Sequence, residues 1–313
     1  MIIVTGGAGF IGSNLVRALN NRGINDILIV DSLKNSAKHM NLNRLNFLDF
    51  IDYDEFLDEL DYLDPDEIDA IFHEGACTNT MEYDGKFMMR VNYDFSKELL
   101  NFCLENSVRL IYASSASVYG NGDNGFSEER RCEYPINIYA YSKFLFDQTV
   151  RRLLPDAPEQ IVGLRYFNVY GPQENHKSKM ASVIFQFHNQ IKDSGELRLF
   201  EGSEDFRRDF IFVDDVVNVN LFFLDHPDKS GIFNCGSGSA QSFRKIADIM
   251  QKQYDNCAIK HIPFPETLQG KYQAFTEADL TLLRSAGYDK PFTSLEEGVS
   301  KYVALLKSQN GIY

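Results

Sequence analysis

Residues 1–12 read Met1-Ile2-Ile3-Val4-Thr5-Gly6-Gly7-Ala8-Gly9-Phe10-Ile11-Gly12, and Ser13-Asn14-Leu15-Val16-Arg17-Ala18-Leu19 follow. A short apolar run enters a glycine-dense turn, and the turn enters a stretch whose apolar residues recur at helical spacing. That is the order strand, phosphate turn, helix. Gly7, Gly9 and Gly12, with Gly6 beside them, satisfy G-x-G-x-x-G in the setting that gives the pattern a mechanism. That setting is a tight turn, close approach of backbone to a pyrophosphate, and close packing of helix on strand. The helix N-terminus adds N–H donors and partial positive charge, so a diphosphate can be held without a basic side chain. A second apolar run, Ile27-Leu28-Ile29-Val30, ends in Asp31, about 20 residues beyond the glycines, where a carboxylate meets an adenosine ribose. A glycine-rich turn without a ligand leaves that carboxylate unexplained.

Outward from this unit, the first half of the chain alternates short apolar runs with amphipathic stretches. This is the pattern of an α/β fold, a Rossmann-type doubly wound parallel sheet with helices on both faces. Residues 46–49 read as a short third strand and residues 69–76 as a fourth that runs into a loop. Ligands on such sheets sit at the carboxyl ends of the strands, so Glu74, Gly75, Ala76, Cys77 and Thr78 are expected to line the cofactor cleft. His73 and Glu74 invite a metal, but no other histidine stands at ligand spacing, and none is expected. A long helix spans about residues 87–106. Residues 108–115 form a fifth strand ending in hydroxyls, which makes Ser115 a candidate for chemistry as well as for capping a turn. Residues 121–135 are a turn-rich surface loop. Beyond Pro135 a helix carries Tyr139 and Lys143, four apart and so on one face, where an ammonium can lower the phenol's pKa. A surface Tyr/Lys pair is the ordinary meaning of that spacing. Here it follows the glycine turn, Asp31 and the Ser115 strand end in the order a nicotinamide enzyme requires.

Residues 160–165 read as a sixth strand. After Tyr166-Phe167-Asn168-Val169-Tyr170-Gly171-Pro172 the alternation loses its regularity, which divides the chain into a nucleotide domain over 1–167 and a smaller lobe over 168–313. Two strand patterns, 209–213 and 231–235, are expected to return to the large sheet, so that 209–236 belongs with the first domain. The second half also holds Lys177, Lys179, Arg207, Arg208 and Lys271 beside Phe200-Glu201-Gly202-Ser203 and Tyr272-Gln273. Such arginines fit a fork for a second pyrophosphate, with Tyr272 or Phe200 to cover a base or sugar. Pairing of Arg207 and Arg208 with Asp205 and Asp209 is the alternative.

The 313 residues carry 31 basic and 45 acidic side chains, a net charge of −14. A field of that sign opposes nucleic acid and anionic membrane as partners. No apolar run reaches the roughly 18 to 20 residues of a spanning helix, and the glycine turn begins too early to leave room for a secretory signal. Five scattered cysteines, never in C-x-x-C spacing, suit reduced thiols in a cytoplasmic protein.

Together the glycine turn, Ser115-Ala116-Ser117-Val118-Tyr119-Gly120, Tyr139-x-x-x-Lys143, Asn168-Val169-Tyr170-Gly171-Pro172 and Arg208-Asp209-Phe210 resemble the extended short-chain dehydrogenase/reductase superfamily over nearly the whole chain. Within it, His73-Glu74-Gly75-Ala76-Cys77, Tyr141-Ser142-Lys143-Phe144, His176-Lys177, Phe200-Glu201-Gly202-Ser203 and Gly270-Lys271-Tyr272-Gln273 resemble the ADP-glyceromanno-heptose 6-epimerases. The resemblance implies a cytoplasmic, homo-oligomeric (pentameric) isomerase that acts on ADP-heptose for lipopolysaccharide core synthesis. It assigns cofactor contacts to Phe10, Ile11, Asp31, Ser32, Lys38, Glu74 to Thr78, Lys143, Val169 and His176, and substrate contacts to Asn168, Phe200, Glu201, Gly202, Ser203, Arg208 and Tyr272. Tyr139 and Lys177 become the two acid/bases, with Ser115 hydrogen-bonding the reacting oxygen. Four positions depart from the family's pattern: Tyr53, Val91, Lys179 and Gln186.

Asp31 repels a 2′-phosphate, whereas Lys38 and Ser32 can neutralise and hydrogen-bond one, so both cofactors are expected to bind, NADP better than NAD. A sugar-nucleotide 4,6-dehydratase needs an extra acid and base beside the strand-five hydroxyl, and Ala116 and Ser117 stand there instead. A sensor that binds nucleotide without turning over substrate has no use for Ser115, Tyr139 and Lys143 together.

Overall fold

A computed structural model describes residues 1–265 and 273–313. The elements of the first half are β1 (Ile2–Thr5), α1 (Phe10–Asn21), β2 (Ile27–Asp31), β3 (Asp49–Asp52), α2 (Tyr53–Leu60), β4 (Ala70–His73), α3 (Gly85–Met89), α4 (Phe95–Asn106), β5 (Arg109–Ser115), α5 (Ile138–Leu153) and β6 (Ile161–Tyr166). The second half adds β7 (Asn168–Tyr170), α6 (Val183–Ser194), β8 (Glu196–Phe200), β9 (Arg207–Phe212), α7 (Val213–Asp225), β10 (Gly231–Cys235), β11 (Ala240–Ser242), α8 (Phe243–Gln251), β12 (Ala258–Ile262), α9 (Thr281–Ser285) and α10 (Leu295–Gln309). Seven strands make one parallel sheet in the order β10-β6-β5-β4-β1-β2-β3.

Strand periodicity divides the core between the two faces of this sheet. Ile2 and Val4 point to one face and pack with Leu15 and Leu19 of α1 and Val216, Val219 and Phe223 of α7. Ile3, between them, points to the other and packs with Leu99 and Leu100 of α4 and Phe146 and Val150 of α5. Burial on both faces is what a continuous apolar strand such as Ile27–Asp31 requires. A third core joins Ile184 and Phe187 of α6, Leu197 and Leu199 of β8, Ile246 of α8 and Val299 and Tyr302 of α10.

The observed elements differ from the sequence reading at three places. The third strand begins at Asp49, three residues late, because Leu48 is exposed while Phe50 and Ile51 supply the packing. The pattern at 209–213 does not return to the large sheet. It lies largely in β9, which sits between β7 and β11 in a separate three-stranded sheet, and only β10 joins the large one, beside β6. The helix over 87–106 is interrupted by a π-helical turn, Arg90–Asp94, between α3 and α4. Such insertions re-aim side chains, and here the buried Asn92 is turned inward. Its side chain accepts from the Cys77 N–H (2.7 Å) and donates to the Cys77 carbonyl (2.9 Å) and to Ser142 Oγ (3.2 Å), joining the loop after β4 to α5.

Under α5 lies a buried ionic cluster. Asp147 accepts from Tyr112 (3.0 Å), Ser114 (2.9 Å) and Arg165 Nε (2.9 Å), and Arg165 also bonds Glu133 and Tyr119. This fixes the helix that carries Tyr139 and Lys143 against the strand that carries Ser115. No helix among the described residues is long and apolar enough to cross a membrane.

Candidate active site

The floor of the cleft is the turn between β1 and α1. Gly6 holds φ +69°, and a Cβ there would stand 2.6 Å from the Gly75 nitrogen; a Cβ on Gly12 would stand 2.2 Å from the Gly6 carbonyl oxygen. The first position needs glycine for the turn, the second so that α1 can pack onto it. Gly7 is used differently, against Ile29. The N-terminus of α1 has no side-chain cap, so its N–H donors are left for the cleft.

Two adjoining cavities, about 250 and 430 Å³, share Gly6, Asp31, Lys38, Gly75 and Ala76. The smaller is completed by Gly9, Phe10, Ile11, Gly12, Glu74, Thr78, His176 and Lys177. Ser32 and Cys77 line the larger. Of the residues proposed to touch cofactor, Gly7, Lys143 and Val169 border neither cavity; Val169 packs against the sheet core. The larger cavity is also walled by Asn35, Tyr53, Phe87, Val91 and Phe95, which the sequence reading left out. Phe87, Val91 and Phe95 recur every four residues, a signal of one shared helix face that was visible. Tyr53 and Val91 are two of the four departures from the family's pattern, and both stand in the cleft wall.

Asp31 is nearly buried and fully engaged: it accepts from Ala8 N (2.9 Å), Ser32 N (2.7 Å) and Lys38 Nζ (2.5 Å). The place that the sequence reading gives to the adenosine ribose therefore presents an ion pair rather than a bare carboxylate.

Tyr139 lies in the first turn of α5, whose N-cap, Asn137, accepts from Ala140 N (2.8 Å), and Lys143 follows one turn later. Burial pushes the Tyr139 phenol up, with the Ser115 hydroxyl pulling the other way. This corrects the expectation that Lys143 lowers that phenol: the Lys143 ammonium donates to the Ala113 carbonyl (2.7 Å). Burial brings Lys143 down to about 8, against the opposing pull of Glu74 and Asp147. Glu74 is pushed up to about 7 by burial, although Tyr166 and Lys143 favour its charged form. Tyr166 donates to its Oε1 (2.7 Å), Asn220 donates to Tyr166 (2.9 Å), and Glu74 Oε2 is buried with no partner. His73 is structural: its ring nitrogens meet Thr5 and Ser96 hydroxyls at 2.6 and 2.7 Å, and burial pulls it down to about 3.

Across the glycine turn, a 3-10 segment, Asn175–Met180, carries His176 and Lys177. The Lys177 ammonium stands 5.0 Å from the centre of the Phe10 ring. Burial lowers its pKa while Glu174 raises it. Lys179 is exposed, and Gln186 donates to the Ser178 carbonyl (2.8 Å).

Two of the proposed substrate residues, Asn168 and Arg208, lie on the paired strands β7 and β9. Asn168 of β7 is exposed and pairs with Phe210, two residues from Arg208. Arg208 is buried beside Phe243, its guanidinium 6.0 Å from the ring centre. Asp209 does not engage the arginines; its carboxylate accepts from Ser237, Gly238 and Ala278 N–H groups at 2.7–2.9 Å. Phe200, Glu201, Gly202 and Ser203 form the turn after β8, where Phe200 packs edge-on against Phe264 and Ser203 Oγ is buried without a partner. Tyr272 and Lys271 lie outside the described residues. All five cysteines are free thiols.

Residues 2–236 match the NAD dependent epimerase/dehydratase family. The chain belongs to that family. Among similar epimerases, the ADP-L-glycero-D-manno-heptose-6-epimerase of Brachyspira hyodysenteriae is 57% identical over 99% of both chains. The solved Helicobacter pylori enzyme of the same name superposes with a TM-score of 0.84 at 29% identity, covering 98% of this chain and 96% of that one. A Thermotoga maritima UDP-glucose 4-epimerase with UDP-glucose gives a TM-score of 0.83 at 26% identity over 99% of both.

Proposed function

We propose that this chain epimerises ADP-D-glycero-D-manno-heptose to ADP-L-glycero-D-manno-heptose at carbon 6, a cytoplasmic step that supplies heptose for the lipopolysaccharide core. The observation that carries the reading is 57% identity across 99% of a relative bearing that name. The cleft supports it, with the required glycines at Gly6 and Gly12, an uncapped helix end and, on a residue that lines the cavity, an unpartnered Glu74 oxygen. A nicotinamide dinucleotide held by the Gly6–Gly12 turn, Asp31, Lys38 and the loop from Glu74 to Thr78 would supply a reversible hydride acceptor for carbon 6.

Tyr139 takes the proton from the carbon-6 hydroxyl in one pose, with Ser115 hydrogen-bonding that oxygen. Lys143 ties α5 to β5 through the Ala113 carbonyl, one helical turn beyond Tyr139, and so keeps the phenol in register with the strand that carries Ser115. Carbon 6 is exocyclic, so the ketone can rotate and present its other face, which carries its oxygen away from Tyr139. Lys177, on the other wall, supplies the proton in that pose, and desolvation makes its ammonium a better acid. Arg208 and the Phe200–Ser203 turn hold the nucleotide diphosphate end, with Tyr272. The Asp31–Lys38 pair favours NADP over NAD, because a 2′-phosphate gains Lys38 and meets a carboxylate already neutralised. Residues 1–167 with α7, β10 and α9 form the cofactor domain, and most of the remainder forms the substrate lobe.

Incubation with the D-glycero substrate, followed by NMR at carbon 6, tests the reading. Inversion without deuterium uptake from D₂O is expected. No conversion refutes the activity, and deuterium at carbon 6 or its neighbours refutes the direct return of hydride.

A further inference from the structure

The segment that carries Lys177 is unusual in its backbone. Among the described residues, four other than glycine have positive φ, and two of them, Gln173 (+77°) and Ser178 (+50°), bracket it. Ser178 combines that φ with ψ −122°, far from any helical value. Such conformations are costly and persist only where the surroundings over-determine them. Here they do. Asn41 donates to the Gln173 carbonyl (3.1 Å), Asn35 to the His176 carbonyl (2.9 Å), Gln186 to the Ser178 carbonyl (2.8 Å), and Gln173 N to the Gly311 carbonyl (2.9 Å).

At the centre of this strap sits Glu174, whose carboxyl has no exposed surface. It accepts from Ser182 N (2.6 Å) and Ser182 Oγ (2.5 Å), while its own carbonyl accepts from Lys177 N (2.9 Å). Burial raises this carboxyl, but two donors specify its position and favour its charged form against that burial. No step of the proposed chemistry uses it.

We infer that Glu174 is a positioning residue for Lys177: its side chain locks the strained strap in place, and its charge sets how readily the neighbouring ammonium parts with its proton. The inference rests on the two-base reading of the site. The directions agree, since Glu174 raises Lys177 and Lys177 lowers Glu174. The other charged or titratable groups that share the cleft with Lys177 are His176 on its own segment, Asp31 at the end of β2, Lys38 beyond it and Glu74 in the loop after β4, while Tyr302 of α10 lies beside Glu174. Asp31 is committed to Lys38, Glu74 bonds Tyr166 through one oxygen, and Glu174 is the carboxylate whose charge raises Lys177.

The test uses the holoenzyme with its lysines reductively ¹³C-methylated, the Lys177 signal being identified by its absence in Lys177→Arg. In Glu174→Gln, Lys177 should titrate at lower pH than in the wild type. Turnover should fall about 10- to 10²-fold with KM little changed, as for a misplaced acid/base. Glu174→Asp keeps the charge but withdraws it by one methylene. It should lie between the two in both readouts, and it decides the matter alone if the glutamine variant does not fold. An unchanged Lys177 titration in a folded variant overturns the inference. If instead Lys177→Met turns over normally, the two-base reading fails, while the Glu174 effect on the titration still stands or falls separately.

Discussion

Lys143 and Lys177, the two lysines proposed to take part in the chemistry, are held by contrasting means. Lys143 projects from a regular helix, is 4% exposed, donates to a strand carbonyl, and rests on a helix fixed from below by the Asp147, Arg165 and Glu133 cluster. Lys177 projects from a short irregular turn between two left-handed residues, with a ring face on one side and a single buried carboxylate nearby. Burial lowers both. A rigid element suits a group that must keep the phenol and cofactor in register, whereas a strap tied to several elements suits a group added from the far wall. The fold thus achieves fixity once by regularity and once by accumulated local bonds.

The sharpest break in this contrast is at the helix. Tyr139→Phe should fold normally and lose about 10²- to 10⁴-fold in turnover, the scale of a positioned acid/base; steady-state kinetics with a matched circular dichroism spectrum checks it. Just below that stands the foundation of the helix. Arg165→Met leaves Asp147 as a buried carboxylate without its cation, while Glu133 keeps Arg151, and such breaks cost about 3–5 kcal/mol, measurable by urea denaturation. On the strap, Lys177→Met should lower turnover about 10²-fold with substrate still bound. A rise in KM at unchanged turnover would make Lys177 a phosphate contact instead.

Two smaller effects sharpen the picture. Lys38→Ala should weaken NADP about tenfold and NAD little, read by titration of apoprotein and by mass spectrometry of released nucleotide. NAD alone in the purified protein would sink the preference. Glu74 carries the pH dependence: its folded pKa, about 7, lies above its ordinary value of 4.5. A raised carboxyl contributes stability that is present below pH 4.5 and lost as pH rises through 7. Glu74→Gln removes that loss, so relative to wild type the variant should be more stable at pH 8 than at pH 5. An equal difference at both pH values would mean that Glu74 stays ionised in the fold.

Much of this was legible because chemistry and periodicity coincide in short windows. The first unit, β1 through Asp31, announces itself by glycine spacing and apolar runs, and the Ser115, Tyr139 and Lys143 positions follow from strand ends and helical spacing. What was hidden depends on distant partners. Glu133, Asp147 and Arg165 read as ordinary surface charges until three segments converge. The π turn at Arg90–Asp94 has no glycine or proline to mark it, so the inward turn of Asn92 onto Cys77 and Ser142 was not visible. The pattern at 209–213 has the alternation of a sheet strand, but alternation does not say which sheet.

The strand order of the large sheet bears on how the chain is made. β6 is flanked by β5 and β10, yet residues 167–230 separate β6 from β10. At about 5–20 residues per second, the ribosome leaves the β6 margin bare for several seconds after its strand is complete. That strand, Ile161–Tyr166, is buried along its whole length in the finished protein, and such a margin can pair with another nascent chain. Ribosome-associated chaperones are therefore expected to guard this protein most during synthesis of residues 167–235.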